Sequence, residues 1–498
     1  MTEPAPAPPD PAPASSPQVL LRLAVPRAAQ KPLAAQLAAR GQKRVETWFD
    51  TPERALGRAG LRLSIVRRVR GWRLRLQTPT ALLEVPAPSA VPLPAALGPE
   101  WAESLGALIA ETPLEPQFTA ELKRVTAGQV GVSVTLETGT LATETAKLPV
   151  SALVVEGPEA LAAKTALALA AEHDLRLDPE PLPARGTRLV TDAPPPVMRA
   201  GPGLSGHPSL DDAVILLLRA CLTQFTANWQ AFFTGDAVNA IHQMRVAMRR
   251  LRSVLGLFAR HLPAPEFAGF RAEAKHIAAT MGEARNWDVF TALLKSGPGQ
   301  IFGAEPGFAE LYAQCAEQRA QGYQAVEALL TSQGPTLFVL ALEEFLARRG
   351  WRGALPPESL PSLAAPATGF ATLQLTRLHR KVRKRGKHLR HLPAAARHLL
   401  RIELKKLRYA TDLFGGLYEP KSRVRAYAEA AAALQEELGT LNDLATAQTL
   451  LARLGQSSLP AARAAGIVTG WCAHAALAAD RPLLKRWQDF LAAKPFAG

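Results

Sequence analysis

From about residue 18 to 155 the chain alternates apolar and polar residues in short segments, QVLLRLAV, GLRLSIV, WRLRLQT, ALLEV and QVGVSVTLET, separated by Gly, Pro and Thr. A period of two puts successive side chains on opposite faces, so these segments predict strands. Helix-like stretches at about 28–40 and 158–174 complete an α+β region. Periodicity stops in TDAPPPVMRAGPGLSGHP (191–208), where Pro and Gly cluster as they do in linkers. Beyond it strand signals vanish and a helical period runs to about residue 490, broken at 261–267, 296–307 and 349–369. The predicted organisation is multidomain: a disordered Pro/Ala-rich tail at 1–17, an α+β region at 18–190, a linker at 191–206 and an all-α region at 207–495.

The helical region repeats itself. Residues 241–258, IHQMRVAMRRLRSVLGLF, align without a gap on residues 397–414, RHLLRIELKKLRYATDLF. His242 falls on His398, Arg245 on Arg401, Arg249 and Arg250 on Lys405 and Lys406, and Arg252 on Arg408. At about 100° per residue, His242, Arg245, Arg249 and Arg252 share one sector, while Met244, Met248, Leu251, Leu255 and Phe258 share another that serves as core. Core packing explains the repeated Leu and Phe; it gives no reason to repeat a row of cations. The repeat continues less regularly in MGEARNWDVFTALL from 281 and LGTLNDLATAQTLL from 438, each read as a Gly, an Asn/Asp turn and a new helix. Two related helical bundles, packed by pseudo-twofold symmetry, follow from this pattern. A third cationic element, TRLHRKVRKRGKHLRHL (376–392), places Arg377, Lys381, Lys384 and His388 on one helical face.

Composition sharpens the picture. The 498 residues carry a formal charge of +15 with a pI near 10.1, which selects an anionic partner but does not choose among nucleic acid, lipid and phosphate polymer. Cys221, Cys315 and Cys472 are few and scattered, giving neither a disulfide framework nor a CxxC metal pattern. No apolar run approaches the roughly 20 residues that span a bilayer, and the first residues lack the pattern of a secretory signal, so a cytoplasmic location is expected. His242 and His398 sit at the start of their ladders, where each can donate to a phosphate oxygen and be protonated in response. Neither a metal role nor acid/base catalysis has a supporting carboxylate cluster, nucleophile motif or Walker loop, and no cofactor is expected.

On HxxRVxxRRLR from His242, GxARNWDV from Gly282, HxxRIxxKKLRY from His398 and LQEELGTLND from Leu434, the chain resembles the CHAD family over about 207–495. The resemblance implies two four-helix bundles around a basic groove, binding of inorganic polyphosphate, and phosphate contacts at His242, Arg245, Arg249, Arg250, Arg252, His398, Arg401, Lys405, Lys406 and Arg408. Lys381, Lys384 and His388 are added as neighbours on the third basic element.

The N-terminal region resembles a CYTH domain, an antiparallel tunnel barrel of triphosphatases and adenylyl cyclases, through WFDTPERALGRAGLRL (48–63), LAVP (23–26), QFTAELKR (117–124) and ARGTRL (184–189). The catalytic pattern that resemblance implies is largely missing. The ExExK stretch reads QVLLR at 18–22, its later acids fall on Ala152 and Val154, its strand arginines on Ser64 and Val66, and its tunnel lysine on Gln77. Arg22, Arg73, Arg75 and Arg124 remain either as anion ligands or, the reading taken, as outward-facing strand residues. The expectation is therefore a noncatalytic polyphosphate binder that acts at polyphosphate granules or in polyphosphate metabolism. The alternatives are a nonspecific nucleic-acid binder, a residual triphosphatase, and a scaffold whose basic channel is incidental.

Overall fold

The computed structural model describes residues 18–68, 71–110, 112–129, 131–454 and 458–497, so the tail expected at 1–17 lies outside the described residues. The chain divides into two compact units, Met1–Pro195 with Ser332–Ala347 and Pro196–Thr331 with Arg348–Gly498.

In the first unit the strands are β1 (Gln18–Ala24), β2 (Gln42–Asp50), β3 (Arg62–Arg67), β4 (Trp72–Gln77), β5 (Leu82–Ala87), β6 (Glu115–Gln129), β7 (Val132–Ala142), β8 (Lys147–Pro158) and β9 (Arg176–Leu177). They form one antiparallel sheet in the order β5-β4-β3-β2-β6-β7-β8-β1-β9. Helices α1 (Arg27–Leu37), α2 (Ala55–Arg58), α3 (Pro99–Ile109), α4 (Glu159–His173) and α5 (Leu182–Thr191) accompany it. Alternation along each strand sends one set of side chains, Leu23, Val134, Leu136, Leu153 and Val155, into a core shared with α1 and α4. Around β3 and β4, Leu63, Ile65, Leu74 and Leu76 pack with Trp101 and Leu105 of α3.

The opposite set is polar, and it is where the sequence reading of the arginines fails. Arg22, Arg75 and Arg124 do not face outward: their side chains are only 9%, 19% and 26% exposed and turn toward acids on the same sheet face. Period two alone cannot say which face is solvent, and here charge on the inner face is balanced strand by strand.

Helix α12 (Gly334–Ala347) comes from the middle of the helical half of the sequence yet belongs to the first unit. Leu340 is fully buried in the core under β1, β7 and β8, Leu177 N–H donates to Thr336 Oγ1 at 2.8 Å, and Gln333 Nε2 donates to the Ala170 carbonyl at 2.7 Å. Phe338, Val339, Leu342, Phe345 and Leu346 are buried as well, so this helix needs apolar cover on several sides. The expected all-α region at 207–495 made no provision for this excursion.

The second unit contains α6 (Leu210–Ala227), α7 (Trp229–Thr234), α8 (Ala237–Phe258), α9 (Glu266–Ser296), α10 (Pro298–Phe302), α11 (Pro306–Thr331), α13 (Ala367–Gly386), α14 (Ala394–Phe414), α15 (Lys421–Leu451), α16 (Leu459–Ala478) and α17 (Asp480–Ala492). In one half α6 and α9 flank α8 and α11 packs on α9; in the other α13 and α15 flank α14 and α16 and α17 pack on α15. The five apolar residues assigned to the core face of α8 are all fully buried. The turns expected after Gly282 and Gly439 are absent: α9 and α15 each run unbroken for 31 residues. Neither segment contains Pro, and one helical Gly costs only about 1 kcal/mol, too little to stop a helix packed on both sides. The linker is pinned in its second half, where Asn228 brackets the Met198 backbone by accepting from its N–H at 3.0 Å and donating to its carbonyl at 2.8 Å, and Leu204 N–H donates to Leu413 O at 2.8 Å. After α12 the chain re-enters at Asp211, which accepts from Trp351 Nε1 at 2.7 Å and from the guanidinium groups of Arg349 and Arg352.

Candidate anion-binding site

Helices α8 and α14 carry the two repeated ladders, and the fold turns them toward each other. Lys405 lies within electrostatic reach of Arg249, Arg401 and Arg245, and Arg245 in turn senses Arg249, Arg285 and Arg401. A cleft of about 360 Å³ opens along this seam. Its walls are Arg249, Arg252 and Gly256 of α8, Arg260 just beyond, Arg271 of α9, Gln374, Arg377 and Lys381 of α13, and Glu403, Lys405, Lys406 and Tyr409 of α14.

Charge balance here is poor. Glu403 is the one acid among the described lining residues; it takes Lys406 Nζ at 2.8 Å and stands 3.9 Å from Lys381 Nζ. Arg249, Arg252, Arg271, Arg377 and Lys405 form no ion pair among the described residues. The pKa directions register the crowding. Burial, then Arg249, Arg401 and Arg245, bring the Lys405 ammonium down to about 7, against a weak opposing pull from Asp443. Burial and then Arg249 lower Arg245 to about 10. Arg252 is also lowered, by burial and then Arg271 and Arg249, and Arg401 by burial, with Asp443 opposing and Arg249 adding to it. A group held below its usual pKa by like charges regains proton affinity when an anion arrives, so the cleft is poised for a polyanion.

The Arg245 guanidinium lies across α9 at Gly282, where a Cβ would meet its Nε in ordinary contact at 3.4 Å. His242 is half-buried, and burial, then Arg285, Arg245 and Arg249, lower its pKa. His398 is exposed, and its Nδ1 donates to Asn442 Oδ1 at 3.1 Å.

Not every expected residue joins: His242 and Arg245 stand beside the cleft without lining it, and His398 and Arg401 line a separate groove. Arg250 points into the bundle, is 4% exposed, and donates to Gln224 Oε1 at 3.3 Å. It lies one residue, about 100°, past the ladder, and that rotation carries it to the buried side. Arg408 lies near Asp412, 3.8 Å away, and lines a separate groove with Glu429, Glu436 and Asp443. Lys384 is exposed and does not line the cleft. His388 falls off the predicted face because α13 ends at Gly386, where Trp487 packs so closely that a Cβ would meet its ring at 2.2 Å, and His388 itself turns left-handed with φ 63°. Arg271 and Arg285 were missed as site residues, and Arg377, placed on the third basic face, was left out of the expected contacts. Arg285 stands inside the ARNWDV motif and Arg377 one turn before Lys381, so a search for arginines facing the ladders from α9 and α13 finds both.

The first unit has a charged interior of a different kind. Glu46 accepts from Arg44 Nη2 at 2.5 Å, Arg75 Nη1 at 2.9 Å and Ser64 Oγ at 2.8 Å. Burial raises its pKa, but the two guanidinium groups and these hydrogen bonds outweigh it and the net shift is downward. Glu137 takes Arg22 at 2.9 Å and Arg124 at 3.1 Å, while Asp178 takes Arg22 and Arg185. Among the described residues, no three His, Cys, Asp or Glu side chains gather as a metal site.

A family model for the CHAD domain matches residues 216–452. Among solved structures, the CHAD domain from the plant Ricinus communis is similar at 31% identity and a TM-score of 0.51, covering 61% of this chain and 98% of that one. PptA from Streptomyces chartreusis is 20% identical with a TM-score of 0.41, covering 56% of this chain and 100% of its own. No curated protein matches the chain.

Proposed function

The chain belongs to the CHAD family, and from that premise we propose that its helical unit binds inorganic polyphosphate in the cleft between α8, α13 and α14. The observation that carries this reading is that rungs of both repeated ladders, Arg249 and Arg252 of α8 and Lys405 and Lys406 of α14, line one cleft with a single lining acid. Polyphosphate has about one charge per phosphate on a flexible thread, and it can follow such a seam while neutralising both ladders. Release of counterions makes the affinity fall steeply with salt, as for nucleic acids. Tyr409 is the one aromatic among the described lining residues, which leaves little platform for stacking bases and disfavours a single-stranded nucleic acid. The cellular outcome of binding is recruitment to polyphosphate granules or control of their metabolism.

The same proposal assigns no hydrolysis to the first unit. Its interior acids, Glu46, Glu137 and Asp178, are each engaged by two arginines, so their lone pairs are committed before any divalent cation arrives. The test is binding of long-chain polyphosphate at near-physiological salt, with RNA as competitor, to the wild type and to a variant with Arg245, Arg249, Arg401 and Lys405 changed to Ala. Tight wild-type binding that resists RNA and collapses in the folded variant supports the proposal. Equal displacement by RNA, or an unaffected variant, overturns it. Phosphate release from tripolyphosphate with Mg²⁺ or Mn²⁺ would overturn the noncatalytic half.

A further inference from the structure

The second repeat holds a pocket whose place in the first is filled. Beside α15, a groove of about 610 Å³ is walled by Leu438, Leu441, Leu444, Ala473, Ala476 and Leu477, with His398 and Arg401 of α14 at one side. In the first repeat the equivalent stretch of α9 carries Asp288, which accepts from Arg319 Nε at 2.7 Å and from the Tyr323 hydroxyl at 3.1 Å, and Phe232 stacks on Tyr323 at 6.4 Å. Bulky, hydrogen-bonded side chains of α11 thus lie on this stretch of the first repeat, whereas α16 presents Ala473 and Ala476 to the second. Leu477 is left 76% exposed at the rim.

Polar groups at this groove are few and directed. Arg397 is neutralised by Asp480 at 2.6 Å. Arg401 forms no ion pair or hydrogen bond among the described residues, and its Nε is buried without a partner. With His398 Nδ1 donating to Asn442 Oδ1, the protonated ring has its Nε2–H left to donate to an anion, and Asn442 is itself held by donating to Thr446 Oγ1 at 3.3 Å. One unpaired cation and one oriented imidazole beside an apolar trough fit a ligand with an anionic head and an apolar tail, and the volume lies in the range of small-molecule sites.

We propose that this groove binds a single-headed amphiphilic anion of the fatty-acid class, with its head on Arg401 and His398 and its tail along Leu438, Leu441 and Ala476. Arg401 is also a rung of the cation ladder, so, on the polyphosphate reading above, head group and polyphosphate compete for one guanidinium. The amphiphile is then a negative regulator of the cleft.

The experiment uses the full chain and decanoate below its micellar concentration, followed by isothermal titration with and without long-chain polyphosphate. Ala476→Phe fills the trough without touching the ladder, and Arg401→Gln removes the shared guanidinium. The expected result is wild-type decanoate binding, at least tenfold weaker in both variants and in the presence of polyphosphate, with polyphosphate affinity intact in Ala476→Phe. Sedimentation with phosphatidylglycerol vesicles forms a second arm, in which capture abolished by Ala476→Phe assigns the same head-and-tail chemistry to a membrane lipid. No decanoate or vesicle binding by the wild type, or binding that Ala476→Phe leaves unchanged, overturns this inference while polyphosphate binding stands. Loss of polyphosphate binding with decanoate binding retained sinks the cleft proposal and spares the groove.

Discussion

Both units gather arginines on an inner surface, and they treat the charge in opposite ways. In the first unit Glu46, Glu137 and Asp178 each meet two guanidinium groups, so these buried carboxylates are neutralised within the fold. In the second, Arg249, Arg252, Arg271, Arg377 and Lys405 share a cleft with Glu403, whose carboxylate is already occupied by Lys406. The first arrangement stabilises a fold; the second leaves a fold under electrostatic load that a ligand relieves. Arginine content alone would rank the two surfaces as alike. Only the pairing distinguishes a structural arginine from one available for binding.

That contrast can be broken most forcefully from the paired side. Glu46→Gln strips the charge from a buried carboxylate between Arg44 and Arg75, and the first unit should lose about 3 kcal/mol, seen as a lowered denaturation midpoint. An unchanged midpoint would show that those arginines are as free as the ones in the cleft. On the unpaired side the four-residue Ala variant should bind polyphosphate at least about 100-fold more weakly, about 2.7 kcal/mol, and its log affinity should fall less steeply with log salt, by about one unit for each phosphate-binding cation removed. Its thermal midpoint should hold or rise, because repulsion has been removed.

A subtler distinction lies in pH. Lys405 titrates near 7 in the free protein, so it is mostly neutral above that, and a bound anion restores its proton affinity. Binding therefore takes up a proton, and affinity should rise about tenfold as pH falls from about 9 to 7.5, above the usual histidine range. Lys405→Met should flatten that profile in a titration followed by proton release or uptake in two buffers. In the absence of ligand the sign reverses for folding. A lysine whose folded pKa lies below its unfolded value costs stability that is full below about 7 and fades as pH rises toward 10.5. The smallest effect belongs to Arg408→Ala, which should shift polyphosphate affinity less than about twofold, since Arg408 faces Asp412 and an acidic groove. A large loss there would restore full twofold symmetry to the site.

The repeat was legible because two helices kept both their core residues and their cations at one offset, and both signals survive without tertiary information. Which rungs of the ladder count was not legible. Arg250 and Arg249 are adjacent and chemically identical, and only the packing of α6 beside α8, with Gln224 in place, decides that one is buried. The inward arginines of the sheet were misread for a related reason. Strand periodicity separates two faces, but the acids that make the inner one habitable, Glu46 and Glu137, lie far from Arg75 and Arg22 in sequence and come close only through strand order. His388 failed through a local event, the end of α13 at Gly386, which a basic run with steady helical spacing conceals.

Helix α12 sets a schedule on the ribosome. The strands and α4 of the first unit are all synthesised by residue 177, yet the helix that covers the apolar patch on α4, and adds Leu340 to the core beneath the sheet, ends at residue 347. At roughly 5–20 residues per second, the nascent sheet waits about 10 s or more with that patch uncovered while α6 to α11 emerge. A chaperone or the nascent helices themselves must shield it during that interval. The first unit to be started is thus completed only after α6 to α11 of the second have been made.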